Sequence, residues 1–464
     1  MITPKQRNVA LLVAGCFFME NLDGTIVTTA APSLAAALGV PVGAISSVIT
    51  AYLVTLAVLI PVSGWMARRF GTRRIFLIAI VVFTLASLGC AFSANLSMLV
   101  IMRVLQGAGG AMMVPVGRVA VFTGAAKQDL IRIVAFITWP ALVAPVMAPL
   151  LGGILATYAS WRWIFLINVP LGAVALLVAS RLITDADHPR PGPLDWVGML
   201  LTAAGFGGLA FSAHLIAEEP GWIGYAALAA AIVLTLMAVW HLLGTTHPLL
   251  NLQVLRISTL RFFVTTGSLY WVVVGAIPFL TPLLFQQGFG WSPVMSGAVV
   301  LLIFVGNIAI KPATTPLLNR FGFRPTLLVA AGVLVLTTVG IGLVSASTSL
   351  VVIGALVLVS GVARSTGLTV FNTIGVSDVE PADIPDANAV MATSQQLCSA
   401  FGVAVATIAL HAGSLLEVSA LGPLAPYRFA YGLLAVAGLL AFVGAARLDP
   451  DAGRALRRVS AKAR

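Results

Sequence analysis

At 464 residues, 59% hydrophobic and only 9% charged, with a mean hydropathy of +1.04, the chain is far too apolar for a water-soluble fold. Its 26 lysines and arginines outnumber its 15 acids, giving a net charge of +11, yet the cations lie in pairs between long apolar runs. That scatter argues against nucleic-acid binding and for an integral membrane protein.

The first element opens with Lys5 and Arg7 ahead of an apolar run from Val9 to Phe18. This resembles a signal peptide, but the run continues through "MENLDGTIV" with no convincing cleavage site, so it reads as a first transmembrane helix. A span needs about 20 mostly apolar residues. Applied along the chain, that length predicts fourteen spans, centred near Cys16, Leu56, Val82, Gly107, Ala144, Ala175, Gly205, Leu234, Val274, Ile303, Val335, Ala355, Gly402 and Ala437. Short turns such as "AEEPGW" blur the seventh and eighth, so twelve or thirteen stay open at this stage. With fourteen, 20 of the 26 cations fall on the side of both termini and only Arg162 and Arg428 on the other, which makes the termini cytoplasmic. The cysteines Cys16, Cys90 and Cys398 all lie in apolar runs and read as packed thiols.

The chain also looks duplicated. "ARRFGTRRIFL" after the second span matches "LNRFGFRPTLL" after the tenth, aligning Arg69 with Arg320, Gly71 with Gly322 and Arg73 with Arg324. The expected organisation is a six-helix bundle over 1–183, a linker with two inserted spans over 184–255, a second six-helix bundle over 256–446 and a basic tail over 447–464.

Of the acids, only Glu20 and Asp23 fall inside a predicted span. A charge near the membrane midplane costs several kcal/mol unless it faces a cavity or a partner, and the i, i+3 spacing puts both on one helical face. Two carboxylates in a low dielectric suit reversible proton carriage; pairing of one with Arg103 is the plainer alternative. Arg103 cannot give up its own charge, so its chemistry is to tune a neighbouring acid, and Gln106 shares its face. Cations within the remaining spans are Arg118, Lys311 and Arg364, accompanied by Asn307, Asn372, Gln395 and Gln396. Cations outnumber acids there, which points to an anionic or zwitterionic substrate such as a carboxylate or its metal chelate, with Arg364 suited to a planar carboxylate. Phe17, Phe18, Trp139, Trp271, Phe279 and Phe304 are candidate pocket aromatics, although aromatics in spans more often pack or anchor. The five histidines are isolated, and no metal cluster, nucleotide loop or catalytic constellation is evident, which disfavours an enzyme or a channel.

The loop "GWMARRFGTRR", the stretch "RVLQGAGGAMMVPVGR", the segment "APVMAPLLGG" and "SWRWIFLINVPLG" resemble, in order and spacing, signatures of the major facilitator superfamily. With "LDGTIV" in the first span, the chain is similar to the fourteen-helix drug:proton antiporters, nearest to the MdtD-like branch. The resemblance implies an all-α polytopic fold of two six-helix bundles rocking about a central cavity, with two inserted helices. It further implies a monomer in the inner membrane that exports small molecules on the proton gradient, without a cofactor or metal. On this reading Asp23, Glu20 and Arg103 couple the proton, Arg103 matching the superfamily's fourth-helix arginine. Pro145, Pro149, Gly152 and Gly153 match the motif of exporters, although Ala144 and Ala148 replace glycines usual there. A proton-coupled importer of an organic anion differs only in direction and stays open.

The sequence departs from the pattern at Arg68, where the superfamily has an aspartate. Arg68, Arg69, Arg73 and Arg74 therefore form an all-basic loop, and the cytoplasmic loop "SDVEPADIPD" carries Asp378, Glu380, Asp383 and Asp386 without a cation. The two are expected to meet across the bundle interface as a cytoplasmic gate; the alternative is two solvated surfaces whose pairs contribute about 0–1 kcal/mol each.

Overall fold

A computed structural model describes residues 4–122, 130–183, 193–218, 221–246, 248–380, 383–415 and 424–450. Most of the linker, the far tail and the side chains of Arg68, Arg118 and Trp139 lie outside what it describes. The apolar runs become helices because a bilayer offers no partner to a free N–H or C=O, so each span must satisfy its own backbone. In chain order the first half contains α1 (Pro4–Leu38), α2 (Ser46–Phe70), α3 (Thr72–Ala91), α4 (Leu96–Phe122), α5 (Leu130–Tyr158), the single turn α6 (Trp163–Leu166) and α7 (Asn168–Leu182). An inserted pair follows, α8 (Trp196–Glu218) and α9 (Trp222–Gly244). The second half contains α10 (Ser258–Leu283), α11 (Pro293–Ala309), α12 (Lys311–Phe321), α13 (Phe323–Leu343), α14 (Leu350–Gly375), α15 (Ile384–Leu415) and α16 (Ala425–Ala446). Among the described residues there is no strand; twelve helical stretches are long and apolar enough to cross a membrane, and two shorter apolar helices, Val143–Tyr158 and Trp196–Leu209, accompany them.

The duplication is visible in the backbone. α2 passes into α3 through Gly71 at φ 95°, and α12 into α13 through Gly322 at φ 87°, a left-handed conformation that glycine alone adopts without strain. Two residues later the repeated arginines do the same work. Arg73 Nη2 donates to Ser180 O near the end of α7 at 3.0 Å, and Arg324 Nη2 donates to Ala446 O at the end of α16 at 2.7 Å. Each guanidinium thus satisfies a terminal carbonyl of the last helix of its own half, where the helix dipole favours a cation.

Packing relies on small residues that let backbones approach. Gly109 of α4 lies against the backbone at Phe83 of α3, Gly361 of α14 against Ile303 of α11, and Gly402 of α15 against Val272 of α10. The second half adds an aromatic cluster of Phe263, Tyr270, Trp271 and Phe371, with ring centroids 5.3–6.4 Å apart. The halves meet through α1 with α10, α2 with α15 and α5 with α11, while the insert packs through α8 onto α2 and α15. α9 turns Trp222, Ile232, Leu236, Trp240 and Leu243 outward, the surface expected of a lipid-facing helix.

Candidate functional site

The two predicted carboxylates separate into different environments. Asp23 is fully buried, and its Oδ2 accepts from Arg103 Nη1 at 2.5 Å. Its Oδ1 accepts from Gln106 Nε2 at 2.8 Å and from Asn168 Nδ2 at 2.7 Å. Arg103, equally buried, also donates from Nη1 to Gln106 Oε1 at 2.8 Å and from Nε to Val48 O at 3.3 Å. Ser87 closes the set by accepting from Gln106 Nε2 at 2.7 Å while donating to Phe83 O. Arg103 Cζ stands 4.1 Å from the ring centroid of Tyr52, so the cation is held by a carboxylate, an amide and an aromatic face together. This network draws α1, α2, α3, α4 and α7 to one point. A buried ion pair offsets its desolvation only when the remaining lone pairs and protons are satisfied; here both carboxylate oxygens are, and Arg103 Nη2 has no hydrogen-bond partner among the described residues.

Glu20, one turn earlier on α1, is half-buried and forms part of the wall of a central cavity of about 260 Å³ between the halves. The same wall contains Asn21 and Tyr52 from the first half and Phe304, Arg364, Gln395 and Gln396 from the second. Arg364 Nε and Nη1 are buried without a hydrogen-bond partner among the described residues, and Arg364 Cζ lies 5.5 Å from the Phe304 ring centroid. Such a cation is prepared for a ligand oxygen. Lys311 stands elsewhere, just after the one-residue break between α11 and α12, and donates from Nζ to Thr369 Oγ1 at 3.1 Å. Asn307 and Asn372 are half-buried and do not belong to the described cavity wall. Of the predicted aromatics whose side chains are described, only Phe304 lines it, and Trp271 and Phe279 are buried in the second half.

The proline and glycine tract of α5 seals one side of the cavity. Pro145 reaches the wall, and one turn on, a Cβ added at Gly297 of α11 would strike Pro149 O. A Cβ at Gly153 would strike Pro293, and one at Gly152 would lie 2.9 Å from Ile26 O of α1. Gln286 Nε2 joins this seal by donating to Thr29 O at 2.9 Å. These contacts all lie toward the end of α1 and the start of α11, so the halves close on the side opposite the N-terminus.

At the other end, Arg69 and Arg74 are exposed, as are Asp378 and Glu380. Arg73 turns to Ser180 within its own half, and Asp386 accepts from Asn251 Nδ2 at 2.8 Å. The sequence did not point to Asn168, Ser87 or Tyr52 as parts of the site. Asn168 was detectable as a lone amide in an apolar run two residues before Pro170, but nothing in spacing connects it to Asp23, 145 positions earlier. A further unpredicted contact ties the insert together: Asp195 Oδ1 meets His241 Nε2 at 2.8 Å and the Gly198 amide at 2.7 Å, and Asp195 Oδ2 accepts from Leu249 N at 3.1 Å. Burial would raise this carboxyl, but the three hydrogen bonds outweigh it and hold it below the usual carboxylate range.

Residues 13–403 match the sequence family described as the Major Facilitator Superfamily. A relative from Serratia proteamaculans, named as the multidrug resistance protein MdtD, is 34% identical over 434 residues, covering 93% of this chain and 90% of its own. Its namesake from Cronobacter sakazakii is 36% identical, covering 86% and 85%. Among solved structures, the POT family transporter PepTSo superposes with a TM-score of 0.70 at 15% identity, covering 96% of this chain and 98% of its own, and a D-xylose-proton symporter with 0.67 at 16%, covering 96% and 98%. At such identity these structures speak for the fold alone.

Proposed function

Because the chain belongs to the major facilitator superfamily, we propose that it is a proton-coupled exporter of small molecules, fourteen-spanning with both termini cytoplasmic, and that its central cavity favours organic anions or zwitterions. The observation that carries this reading is the division of labour on α1: Asp23 locked to Arg103 within the first half, and Glu20 one turn away on the cavity wall shared with the unpaired nitrogens of Arg364.

A carboxylate on a cavity wall exchanges protons with cavity water, whereas one buried under three donors does so only after its network loosens. Glu20 is therefore the acid that protonates first, and Asp23 the acid whose release from Arg103 accompanies the change of state. A ligand carboxylate bound by Arg364 faces Glu20 within the same cavity, so ligand occupancy and the proton occupancy of Glu20 influence each other. Lys311 contributes positive potential from the α11–α12 break, and Asn372, Asn307, Gln395 and Arg118 are further contacts as the cavity changes shape. In the state that opens away from the N-terminus, the loop of Arg68, Arg69, Arg73 and Arg74 meets Asp378 and Glu380 and latches the opposite side. Pro145, Pro149, Gly152 and Gly153 form the alternate seal.

The test is reconstitution in liposomes carrying an internal pH dye, with anionic and cationic compounds added in turn. Proton movement triggered by anions and abolished by Asp23→Asn and Glu20→Gln is expected. A response to lipophilic cations alone overturns the anion preference, and undiminished proton-driven transport in both variants overturns the carrier assignment.

A further inference from the structure

Tyr52 of α2 stands where the two halves of this site touch. Only 1% of it is exposed, yet it belongs to the cavity wall with Glu20 and Arg364, and Arg103 lies over its ring. The ring is thus the layer between cavity and ion pair. Its place is cut by glycines on two neighbouring helices: a Cβ at Gly24 of α1 would lie 3.5 Å from Tyr52 Cε1, one at Gly110 of α4 would lie 3.3 Å from Tyr52 Oη, and one at Gly107 would lie 3.0 Å from Tyr52 O. The position above Gly110 is also 3.7 Å from Glu20 Cγ, so the hydroxyl and the acid flank the same residue. A buried tyrosine hydroxyl ordinarily finds a partner, but Tyr52 Oη has none among the described residues.

From this geometry, and resting on the proton-coupling reading above, we propose that Tyr52 is a positioning residue that couples ligand to proton: its ring keeps cavity water away from the Asp23–Arg103 pair, and a ligand that engages its hydroxyl draws the ring aside. Only then does a proton pass between cavity water and an Asp23 oxygen, as Arg103 disengages. A barrier of this kind prevents proton flow in the absence of ligand. The ring, more than the hydroxyl, is the barrier, so the two functions separate by substitution.

The experiment uses full-length protein with Cys16→Ala and Cys398→Ala, leaving Cys90 as the reporter, because its Sγ sits 3.6 Å from Gln106 Oε1 inside the sealed network. In Tyr52→Ala, reaction of Cys90 with N-ethylmaleimide is expected to rise about tenfold, since thiol reactivity follows exposure. Proteoliposomes of the same variant should take up protons without ligand, and adding Asp23→Asn should stop them. Tyr52→Phe should keep the barrier but weaken ligand-triggered proton movement, and Tyr52→Trp guards against a folding defect by preserving an aromatic layer. Unchanged Cys90 labelling in a folded Tyr52→Ala protein overturns the proposal whatever the protons do. Uptake that persists with Asp23→Asn leaves the barrier standing and overturns the assignment of Asp23 as the proton site.

Discussion

Arg103 and Arg364 stand on corresponding helices of the two halves, α4 and α14, and are treated in opposite ways. The first helix of its half supplies Arg103 with Asp23, and Gln106, Val48 O and the Tyr52 ring add to its surroundings, although its Nη2 has no hydrogen-bond partner among the described residues. The first helix of the second half supplies no acid to Arg364; α10 brings Tyr270, whose hydroxyl is spent on Ala363 O at 2.8 Å, and Arg364 Nε and Nη1 go without hydrogen bonds among the described residues. A duplicated scaffold has therefore kept a cation at the corresponding place in both halves and, among the described residues, given only the first a carboxylate partner. The filled site holds a charge in reserve for coupling, and the unfilled one is open to an external anion.

The largest effect is expected from breaking the filled site. Arg103→Met leaves the Asp23 carboxylate buried among amides with no counter-charge, a loss of about 3–5 kcal/mol for a buried pair stripped of one partner. Melting of the detergent-solubilised protein should fall steeply and proton-coupled transport should vanish. An unchanged melting temperature would mean that the pair adds nothing to the fold.

The unfilled site should respond in reverse. Arg364→Met removes a cation that has no carboxylate partner among the described residues, so melting should hold or rise, while anion binding weakens by about 1.5–3 kcal/mol, the loss of a charged hydrogen bond, or roughly 10- to 150-fold in Kd. Equal losses of stability in the two arginine variants would erase the contrast between the halves.

How far this contrast was legible in the sequence depends on distance along the chain. The repeat was readable because it is local: Arg69, Gly71 and Arg73 reappear as Arg320, Gly322 and Arg324, and the structure gives both glycines the same left-handed backbone and both second arginines the same terminal carbonyl. The pairing of Asp23 with Arg103 was readable as one of two options, since few charges share the membrane and they must meet or face water. The options could not be resolved, because whether Glu20 or Asp23 faces the cavity depends on the rotation of α1, and its i, i+3 spacing puts both on one broad face. Tyr52, Ser87 and Asn168 were silent for a different reason. A tyrosine, a serine or an asparagine in an apolar run costs too little to demand an explanation, and only the fold brings these three side chains to Asp23 and Arg103.

The seal between the halves offers a smaller and more directional effect. Gly297→Ala places a methyl group on Pro149 O, an overpacking cost of about 1–3 kcal/mol that falls only on the closed arrangement. The population should shift toward conformations open away from the N-terminus, which spin labels at Ala37 and Gln287 would register as a longer distance. An unshifted distance would show that α5 and α11 adapt without parting.

The smallest effect belongs to the insert, which neither half contains. Asp195 joins the start of α8 to His241 on α9 and to the Leu249 amide, so the hairpin is clamped at one end by a single carboxylate. Asp195→Asn keeps the shape but loses the charge, with an expected cost of about 1.5 kcal/mol, the low end for hydrogen bonds to an ionised group. The pH dependence gives the sign. A carboxyl held below its ordinary value contributes stability that is fully present above about pH 4, the unfolded value, and is lost as pH falls through the lower folded value. Acidification through that window should therefore narrow the gap between wild type and Asp195→Asn. Because α8 touches both α2 and α15, a hairpin that merely lies beside the halves would melt earlier in the variant while transport stayed the same. One that guides their rocking would lose rate as well, and comparing melting with transport in this variant separates the two.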